Sequence, residues 1–331
     1  MFSFSKIFTF LMLFVFSSNL AHARSADAPD LDFDTKREIS WDQWIKITKK
    51  ELESKKFKRS TLNYLNSIKY NARVIQLDRK QPEFRLTFDK YFKNIVTKDN
   101  IKKINEEYKK NNDLLIRIGK KYNVSPKVLA ALWGIETAFG KHLGKMDILG
   151  SLASLAYEGR RKEFFTRELE YALSILDKGH FDRKLFKGSW AGAFGQTQFM
   201  PSTFIKYAVD FDGDKKKNLF KKADALASGA NYLSTIGWDN DLIWGEKIKI
   251  KINKNFEKLS KNKNFKSAKF WENKGVAIKN FYKTDKLRLI LPDSNNNNDC
   301  YLVSKNFDVI LNWNRSNYFA LTVFLFSDEI K

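Results

Sequence analysis

Residues 124–140 read VSPKVLAALWGIETAFG, and this stretch predicts the helix around which the chain is organised. Ser125 can cap the helix through its hydroxyl, and Pro126 suits the first helical position, where its missing N–H costs nothing. Gly140 is a candidate helix stop, because glycine adopts the left-handed C-terminal conformation without strain. Apolar residues recur between these ends at spacings of three and four, which predicts a wide buried face: Val128, Leu129, Leu132, Trp133 and Ile135.

Glu136 interrupts this apolar face and lies in the last turn of the predicted helix. It follows Trp133 and Leu132 by three and four positions, so it shares their side of the helix. Burial and the negative end of the helix dipole both disfavour a charged carboxylate, and both therefore raise its pKa. A carboxyl that stays protonated near neutral pH is suited to general acid catalysis. The alternative is a glutamate that reaches solvent at a frayed helix end.

Residues 1–23 have the pattern of a cleavable export signal. Lys6 precedes an apolar run over 7–16, which at about ten residues is too short to span a bilayer. The small-x-small pattern at 21–23 then predicts cleavage before Arg24. No cysteine stands near this position, so we expect a soluble periplasmic protein and no lipoprotein. The alternative is an uncleaved anchor.

Composition limits the remaining classes. The 331 residues are 43% hydrophobic, enough for one large domain or two ordinary ones. Cys300 is the only cysteine, so an exported chain would rely on its core and not on an internal disulfide. The formal charge of +22 favours an anionic partner. For an exported protein, a cell-wall polymer or a membrane surface fits better than nucleic acid, although the scattered lysines are also compatible with biased composition.

Two stretches suggest a binding surface. Residues 159–161 read GRR, and paired arginines can bind anions or sugar carbonyls. Residues 187–201 read KGSWAGAFGQTQFMP, in which glycines allow close backbone approach. Aromatic rings there alternate with hydroxyl and amide groups, as in the wall of a sugar site. Solvated charge and a tight loop packed on the core are the respective alternatives.

Residues 210–224 read DFDGDKKKNLFKKAD, and the three alternating aspartates form the first half of a calcium-binding loop. The second half departs from the usual loop. Lys215 stands at the position of the turn glycine, and Lys221 stands at that of the bidentate glutamate. Asp224 could close the site instead. The alternative is a solvated acidic turn.

Seven segments, in this order, resemble the lytic murein transglycosylase B family. They are LDRKQPEF (77–84), GIETAFG (134–140), GRRKEFF (159–165), FKGSWAGAFGQTQFMPS (186–202), VDFDGD (209–214), ANYL (230–233) and NWNRSNYFALTV (312–323). They span nearly the whole mature chain. Members of this family cleave the β-1,4 bond between N-acetylmuramic acid and N-acetylglucosamine in peptidoglycan without water, which leaves 1,6-anhydromuramoyl ends.

The resemblance implies a mainly α (α+β) fold with a lysozyme-like catalytic core, a flanking helical region and a small β region. The expected division is a helical N-terminal region over 24–123 and a core with the calcium loop over 124–240. The small β region and the C-terminal part of the core then occupy 241–331. Period-two alternation at 247–252 and an apolar run at 287–291 independently predict strands in that last part.

The resemblance also implies roles for individual residues. Glu136 matches a single acid/base that protonates the leaving oxygen and then accepts a proton from the C6 hydroxyl as it attacks C1. A tyrosine is usual in the family where this chain has Trp313, which would lose a hydroxyl and keep a stacking face. Substrate contacts are implied for Ser189, Gln198, Arg160, Arg161, Tyr232, Trp313 and Asn314. A structural calcium ion is implied for Asp210, Asp212, Asp214, Asp224 and the backbone carbonyl of Lys216.

Other functions remain open from the sequence. A lysozyme-type hydrolase would release reducing ends, whereas a non-catalytic cell-wall-binding protein would release nothing. Binding of polyanions through charge alone would depend steeply on salt. For the transglycosylase we expect no cofactor in the chemistry, peptidoglycan glycan strands as the substrate, no nucleic acid partner and a monomer. Proteins of cell-wall synthesis or division are compatible partners.

Overall fold

The computed structural model describes residues 39–79, 86–282, 285–293 and 299–331. The predicted export signal over 1–23 and most of the LDRKQPEF match lie outside these ranges. Helices dominate the part of the chain that is described, and two small antiparallel sheets accompany them.

The N-terminal part is helical, as predicted. Ser40 starts the first helix in a capping box with Gln43, and Thr87 and Thr97 cap two later helices. Residues 101–118 have the apolar spacing of one helix, but the structure divides them into two helices at Asn111. A short 3-10 turn (Asn63–Ser67) accompanies the following helices: α1 (Trp41–Glu53), α2 (Arg59–Leu62), α3 (Ala72–Arg79), α4 (Phe88–Ile95), α5 (Lys98–Lys110) and α6 (Asn112–Tyr122).

The central part contains the helix predicted from residues 124–140. It is α7 (Pro126–Thr137), and Ser125 accepts a hydrogen bond from the Val128 amide as the predicted cap. Two paired short strands, β1 (Met146–Asp147) and β2 (Lys187–Gly188), bracket the next two helices and a 3-10 turn (Arg183–Leu185). The remaining helices of this part are α8 (Ile148–Glu158), α9 (Lys162–Asp177), α10 (Pro201–Tyr207) and α11 (Lys222–Thr235).

A four-stranded antiparallel sheet follows, with the strand order β3-β6-β5-β4. The strand predicted at 247–252 is wrong in its bounds, because β3 begins at Gly245 and ends at Ile248, which pairs with Cys300 at the start of β6. The elements of this part are β3 (Gly245–Ile248), α12 (Lys254–Lys261), β4 (Lys266–Ser267), α13 (Ala268–Glu272), β5 (Lys286–Ile290), β6 (Cys300–Val303), α14 (Lys305–Trp313) and α15 (Asn317–Asp328).

A small hydrophobic cluster packs the four-stranded sheet against α13, and two large clusters hold the other elements together. One joins α1, α8 and α9 to the loop after β2, and the other surrounds α7 with α15 and the helices α4 to α6. Tyr232 and Trp313 pack against both clusters. The boundary between the two clusters therefore brings α11 and the end of α14 close to α7. None of the described helices combines the length and apolarity needed to cross a bilayer.

Candidate active site

The end of α7 is locally strained. The helix ends at Thr137, and Ala138, Phe139 and Gly140 follow with φ values of 48°, 62° and 81°. The predicted stop at Gly140 is therefore wrong by three residues. Left-handed alanine and phenylalanine each cost roughly 1–2 kcal/mol, so the surrounding structure must hold them. The Thr137 hydroxyl contributes by donating to the backbone oxygen of Gln196 at 2.9 Å.

Glu136 lies one residue before this helix end. The Trp313 indole Nε1–H donates to Glu136 Oε1 at 2.8 Å, across 177 positions of sequence. Burial raises the pKa of Glu136 to about 7, and the Trp313 hydrogen bond opposes that rise. The residue as a whole is half-buried, and desolvation of its carboxyl is the larger of the two influences on its pKa. The predicted rise in the pKa of Glu136 is confirmed, with burial as its cause.

Edge-to-face packing against two aromatic rings fixes the Trp313 indole beside Glu136. Its ring lies 5.5 Å from Phe199 and 5.3 Å from Tyr232, both measured between ring centroids. The Tyr232 hydroxyl donates to the backbone oxygen of Asn312 at 2.9 Å, which ties α11 to the end of α14. The sequence comparison with the family predicted a lost hydroxyl at Trp313. The indole N–H supplies a hydrogen-bond donor there in addition to the aromatic face.

Tyr91 is a neighbour of Glu136 that the sequence analysis missed. It lies on α4, is buried, and packs its ring 5.6 Å from that of Tyr318. Burial and the charge of Glu136 both raise the pKa of the Tyr91 hydroxyl. Residues 88–96 have the periodicity of a helix, and Tyr91 is a hydroxyl-bearing residue within it. That hydroxyl was the only feature of the sequence that could have pointed to a site residue there.

Ser189 and Gln198 lie in the glycine-rich loop after β2, and both are buried. The Ser189 hydroxyl accepts a hydrogen bond from the Ala193 amide at 3.0 Å, so its own loop holds it. Gln198 has a left-handed φ of 49°, and its Nε2 donates to the backbone oxygen of Gly195 at 2.8 Å. Its Oε1 is buried without a hydrogen-bond partner among the described residues. Gln198 thus offers an acceptor, and a buried acceptor is costly to leave unpaired.

Asn314 ends α14 next to Trp313. Its backbone amide donates to Ile310 at 3.0 Å, and its side-chain oxygen accepts from the Ser316 amide at 3.2 Å. The residue is buried. Its side chain therefore helps to shape the turn between α14 and α15, which presents the Trp313 indole to Glu136.

Arg160 and Arg161 converge on one buried carboxylate. Arg160 Nη2 donates to Asp78 Oδ2, and Arg161 Nη2 donates to Asp78 Oδ1 at 2.5 Å. Asp78 is only 2% exposed, whereas half of the Arg160 side chain remains exposed. The family resemblance implies that these arginines contact anionic substrate groups, and nothing in the sequence around residue 160 points to Asp78 as their partner. Asp78 orients the pair and also neutralises part of its charge.

Replacing Asp78 by asparagine should destabilise the fold by about 1–3 kcal/mol, because two charge-assisted hydrogen bonds lose their anionic acceptor. The free energy of unfolding in urea measures this change. Asp89→Asn is the matched control, since Asp89 pairs with Lys93 at an exposed site and should change stability by less than about 0.5 kcal/mol. Equal effects of the two substitutions would contradict a structural role for Asp78.

The loop at 210–224 gathers four carboxylates. Oxygen atoms of Asp210, Asp212, Asp214 and Asp224 all lie within 4.8 Å of one another. Four carboxylates and nearby backbone carbonyls form the donor set that calcium prefers. Lys221 also belongs to this group, because its ammonium donates to Asp212 at 2.9 Å and to Asp214 at 2.5 Å.

Lys216, the remaining residue predicted for the calcium site, lies beside this cluster. Its backbone N–H donates to Asp214 Oδ1 at 2.9 Å. The five predicted metal residues thus lie in the loop before α11 and in the first turn of that helix. They occupy a different part of the sequence from Glu136 and Trp313. Their role as ligands stays a prediction.

Comparison with known proteins gives consistent results. The family described as Transglycosylase SLT domain matches residues 40–328. Membrane-bound lytic murein transglycosylase B of Escherichia coli (strain K12) is 38% identical over 165 residues, which are 50% of this chain and 45% of that protein. The match thus spans less than half the length of this relative.

Two solved structures share the fold. SltB3 from Pseudomonas aeruginosa, in complex with NAG-NAM-pentapeptide, aligns with a TM-score of 0.83 and 33% identity over 87% of this chain and 79% of that chain. The Escherichia coli lytic transglycosylase Slt35, in complex with calcium, aligns with a TM-score of 0.74 and 28% identity over 87% and 91% of the two chains. The predicted mainly α, lysozyme-like fold is confirmed. Because the family match covers most of the chain, this protein belongs to the Transglycosylase SLT domain family.

Proposed function

We propose that this chain is a lytic transglycosylase. It cleaves the β-1,4 bond between N-acetylmuramic acid and N-acetylglucosamine in peptidoglycan and leaves 1,6-anhydromuramoyl ends. The observation that carries this proposal is the buried Glu136 carboxyl, whose pKa lies near 7 and whose Oε1 accepts from Trp313. The relatives named as lytic transglycosylases support the same reaction class.

A pKa near 7 suits a residue that must act twice. Near neutral pH a substantial fraction of Glu136 is protonated and can donate to the leaving glycosidic oxygen. The carboxylate that remains then accepts the proton of the C6 hydroxyl, whose oxygen bonds to C1 of the same sugar. Because Trp313 engages Oε1, we assign Oε2 to both proton transfers. No water is consumed, and Glu136 ends protonated again.

The surroundings of Glu136 favour this reaction over hydrolysis. Hydrolytic glycosidases commonly use two carboxylates on opposite sides of the bond. Glu136 is the one carboxyl to which we assign a part in the reaction, and burial and the Trp313 indole set its pKa. We therefore assign stabilisation of the cation at C1 to the substrate's own 2-acetamido group.

The other site residues are assigned by the chemistry that they offer. Gln198 Oε1 is a buried acceptor suited to the acetamido N–H of the bound sugar. Tyr232 and Trp313 lie at the boundary between the two hydrophobic clusters, and Trp313 adds an aromatic face for a sugar ring. Ser189 and Asn314 offer buried polar groups. Arg160 and Arg161, oriented by Asp78, are assigned to the carboxylates of the peptide stem.

The four aspartates and the Lys216 carbonyl are assigned to a structural calcium ion. The donor set fits a hard cation, and a relative, Slt35, was solved in complex with calcium. When bound, the ion would offset part of the negative charge of the four carboxylates. Proton transfer by Glu136 requires no metal.

We also propose that the enzyme works in the periplasm as a soluble monomer after cleavage of residues 1–23. Its regions are 24–123, 124–240 and 241–331, as the sequence predicts. SltB3 was solved with NAG-NAM-pentapeptide, which supports peptidoglycan strands as the substrate. N-terminal sequencing of the exported protein would test the cleavage site, because any start other than Arg24 contradicts it.

Digestion of purified murein tests the proposed reaction. The fragments should end in 1,6-anhydromuramic acid, and mass spectrometry should find each one lighter by one water than the corresponding product of a hydrolytic muramidase. Fragments that carry only reducing ends would instead identify a hydrolase. Binding to murein without any fragment release would identify a non-catalytic cell-wall-binding protein.

A further inference from the structure

Lys221 places a positive charge inside the proposed calcium site. Its Nζ lies 2.9 Å from Asp212 Oδ2 and 2.5 Å from Asp214 Oδ2. These two aspartates belong to the four whose oxygens lie within 4.8 Å of one another. The ammonium therefore contacts oxygens that a calcium ion would need.

The other two aspartates are held by the backbone of the loop. Asp210 accepts from the amides of Gly213 and Lys215, each at 2.7 Å. Asp224 is fully buried, and its Oδ1 accepts from the Phe211 amide at 2.8 Å. Backbone amides also reach Asp212 and Asp214, whose Oδ1 atoms accept from the Asp214 and Lys216 amides at 3.3 Å and 2.9 Å. The Lys221 ammonium contacts the Oδ2 atoms of Asp212 and Asp214, which these amides leave available.

We infer that Lys221 is a built-in cation that competes with calcium for this loop. Calcium can use Asp212 and Asp214 only after the ammonium has moved away, so binding must replace two charge-assisted contacts. A positive charge that stayed nearby would also repel the divalent ion. Two consequences follow: the affinity for calcium is weakened, and the loop keeps its fold when calcium is scarce.

This inference rests on the calcium site proposed above and is independent of the lyase activity. It predicts how replacing Lys221 should change the affinity for calcium. Lys221→Gln removes the competing charge and keeps a polar side chain of similar length. The variant should bind calcium at least about tenfold more tightly than the wild type, because an adjacent like charge has been removed.

Calcium titration calorimetry and thermal unfolding of the mature chain test the inference. The wild type should gain less than about 2 °C in Tm when about 1 mM calcium replaces chelator. Lys221→Gln should have a lower Tm than the wild type in chelator and should gain about 3 °C or more with calcium.

Two further variants serve as controls. Lys221→Arg retains the charge and should bind calcium as weakly as the wild type. Lys215→Gln removes the same charge from the same loop. Both lysines are exposed, but among the described residues only the Lys221 ammonium pairs with the aspartates, so this variant should change the affinity by less than about threefold.

The outcomes separate the two proposals. Strong stabilisation of the wild type by calcium, with the same affinity in Lys221→Gln, would overturn competition by Lys221 and leave the calcium site intact. Loss of stability in Lys221→Gln without any calcium binding would overturn both. Tighter binding in Lys221→Gln alone among the three variants supports both.

Discussion

Glu136→Gln is expected to lower the release of anhydromuramoyl fragments by at least about 10³-fold, because an amide can neither donate the proton to the leaving oxygen nor accept the one from C6. The amide oxygen can still accept the Trp313 hydrogen bond, so the site should keep its geometry. Initial rates on purified murein, measured by mass spectrometry of the fragments, give the comparison.

Glu168→Gln is the matched control for this experiment. Glu168 is also a buried glutamate whose pKa is raised by burial, but its carboxylate accepts from the Ser202 amide at 2.9 Å and has no assigned role in the chemistry. This variant should retain most of its activity. If Glu136→Gln also retained normal activity, Glu136 could not be the acid and base.

Glu136→Gln should also stabilise the fold at alkaline pH. The pKa of Glu136 rises from 4.5 to about 7 on folding, so the folded state disfavours the carboxylate. Below pH 4.5 the carboxyl is protonated in both the folded and the unfolded states, and the wild type carries no penalty. Stability is then lost as pH rises towards 7. At pH 8, Glu136→Gln should be more stable than the wild type by about 2 to 3 kcal/mol.

Urea unfolding at pH 4 and pH 8 measures this linkage. The difference in stability between Glu136→Gln and the wild type should be small at pH 4 and large at pH 8. A difference that does not change with pH would show that the carboxylate is not desolvated.

Gly144→Ala is expected to have the largest effect on stability. Gly144 has a φ of 85°, and an added Cβ would lie 2.1 Å from the backbone oxygen of Gly188 and 2.7 Å from the amide nitrogen of Ser189. Backbone atoms cannot rotate away as a flexible side chain does, so β2 and the Ser189 loop would have to move. We expect a loss of more than about 3 kcal/mol in the free energy of unfolding. Activity should fall as well, because Ser189 would be displaced.

Gly159→Ala separates the clash from the backbone strain. Gly159 also has a positive φ, 97°, but an added Cβ would meet nothing within 4 Å. Its substitution should cost only about 1 kcal/mol, the strain of a left-handed alanine. If both variants lost the same stability, the close approach of Gly144 to Gly188 would not explain the effect.

Local rules account for the parts of the fold that the sequence predicted well. The start of α7 follows from the Ser125 cap and the first-turn proline, which act within a few residues of each other. Apolar residues at helical spacing over 148–157 and 163–176 predict two helices, and α8 and α9 match these bounds to within one residue. Periodicity fails for short buried segments, and β6 was missed because its four residues are buried on both faces and show no alternation.

Long-range contacts account for what the sequence analysis missed. Asp78 and the pair Arg160 and Arg161 are far apart in sequence, and neither segment alone indicates that one carboxylate serves both guanidinium groups. Tyr91 reaches the neighbourhood of Glu136 only through the packing of α4. Lys221 was recognised as a departure from a calcium loop, but its ammonium position depends on how the loop folds back on itself.

The sequence by itself determined the start of α7 at Pro126, the apolar face on which Glu136 lies and the alternating spacing of the acidic loop, because these depend on hydrogen bonds and periodicities within a few turns of the chain. Only the tertiary structure decided how Glu136 is used. It brought the Trp313 indole onto the carboxyl from 177 positions away and ended the helix at Thr137. Desolvation and a distant hydrogen-bond donor set the pKa of Glu136, and both arise only when folding buries the carboxyl and brings the end of α14 to it.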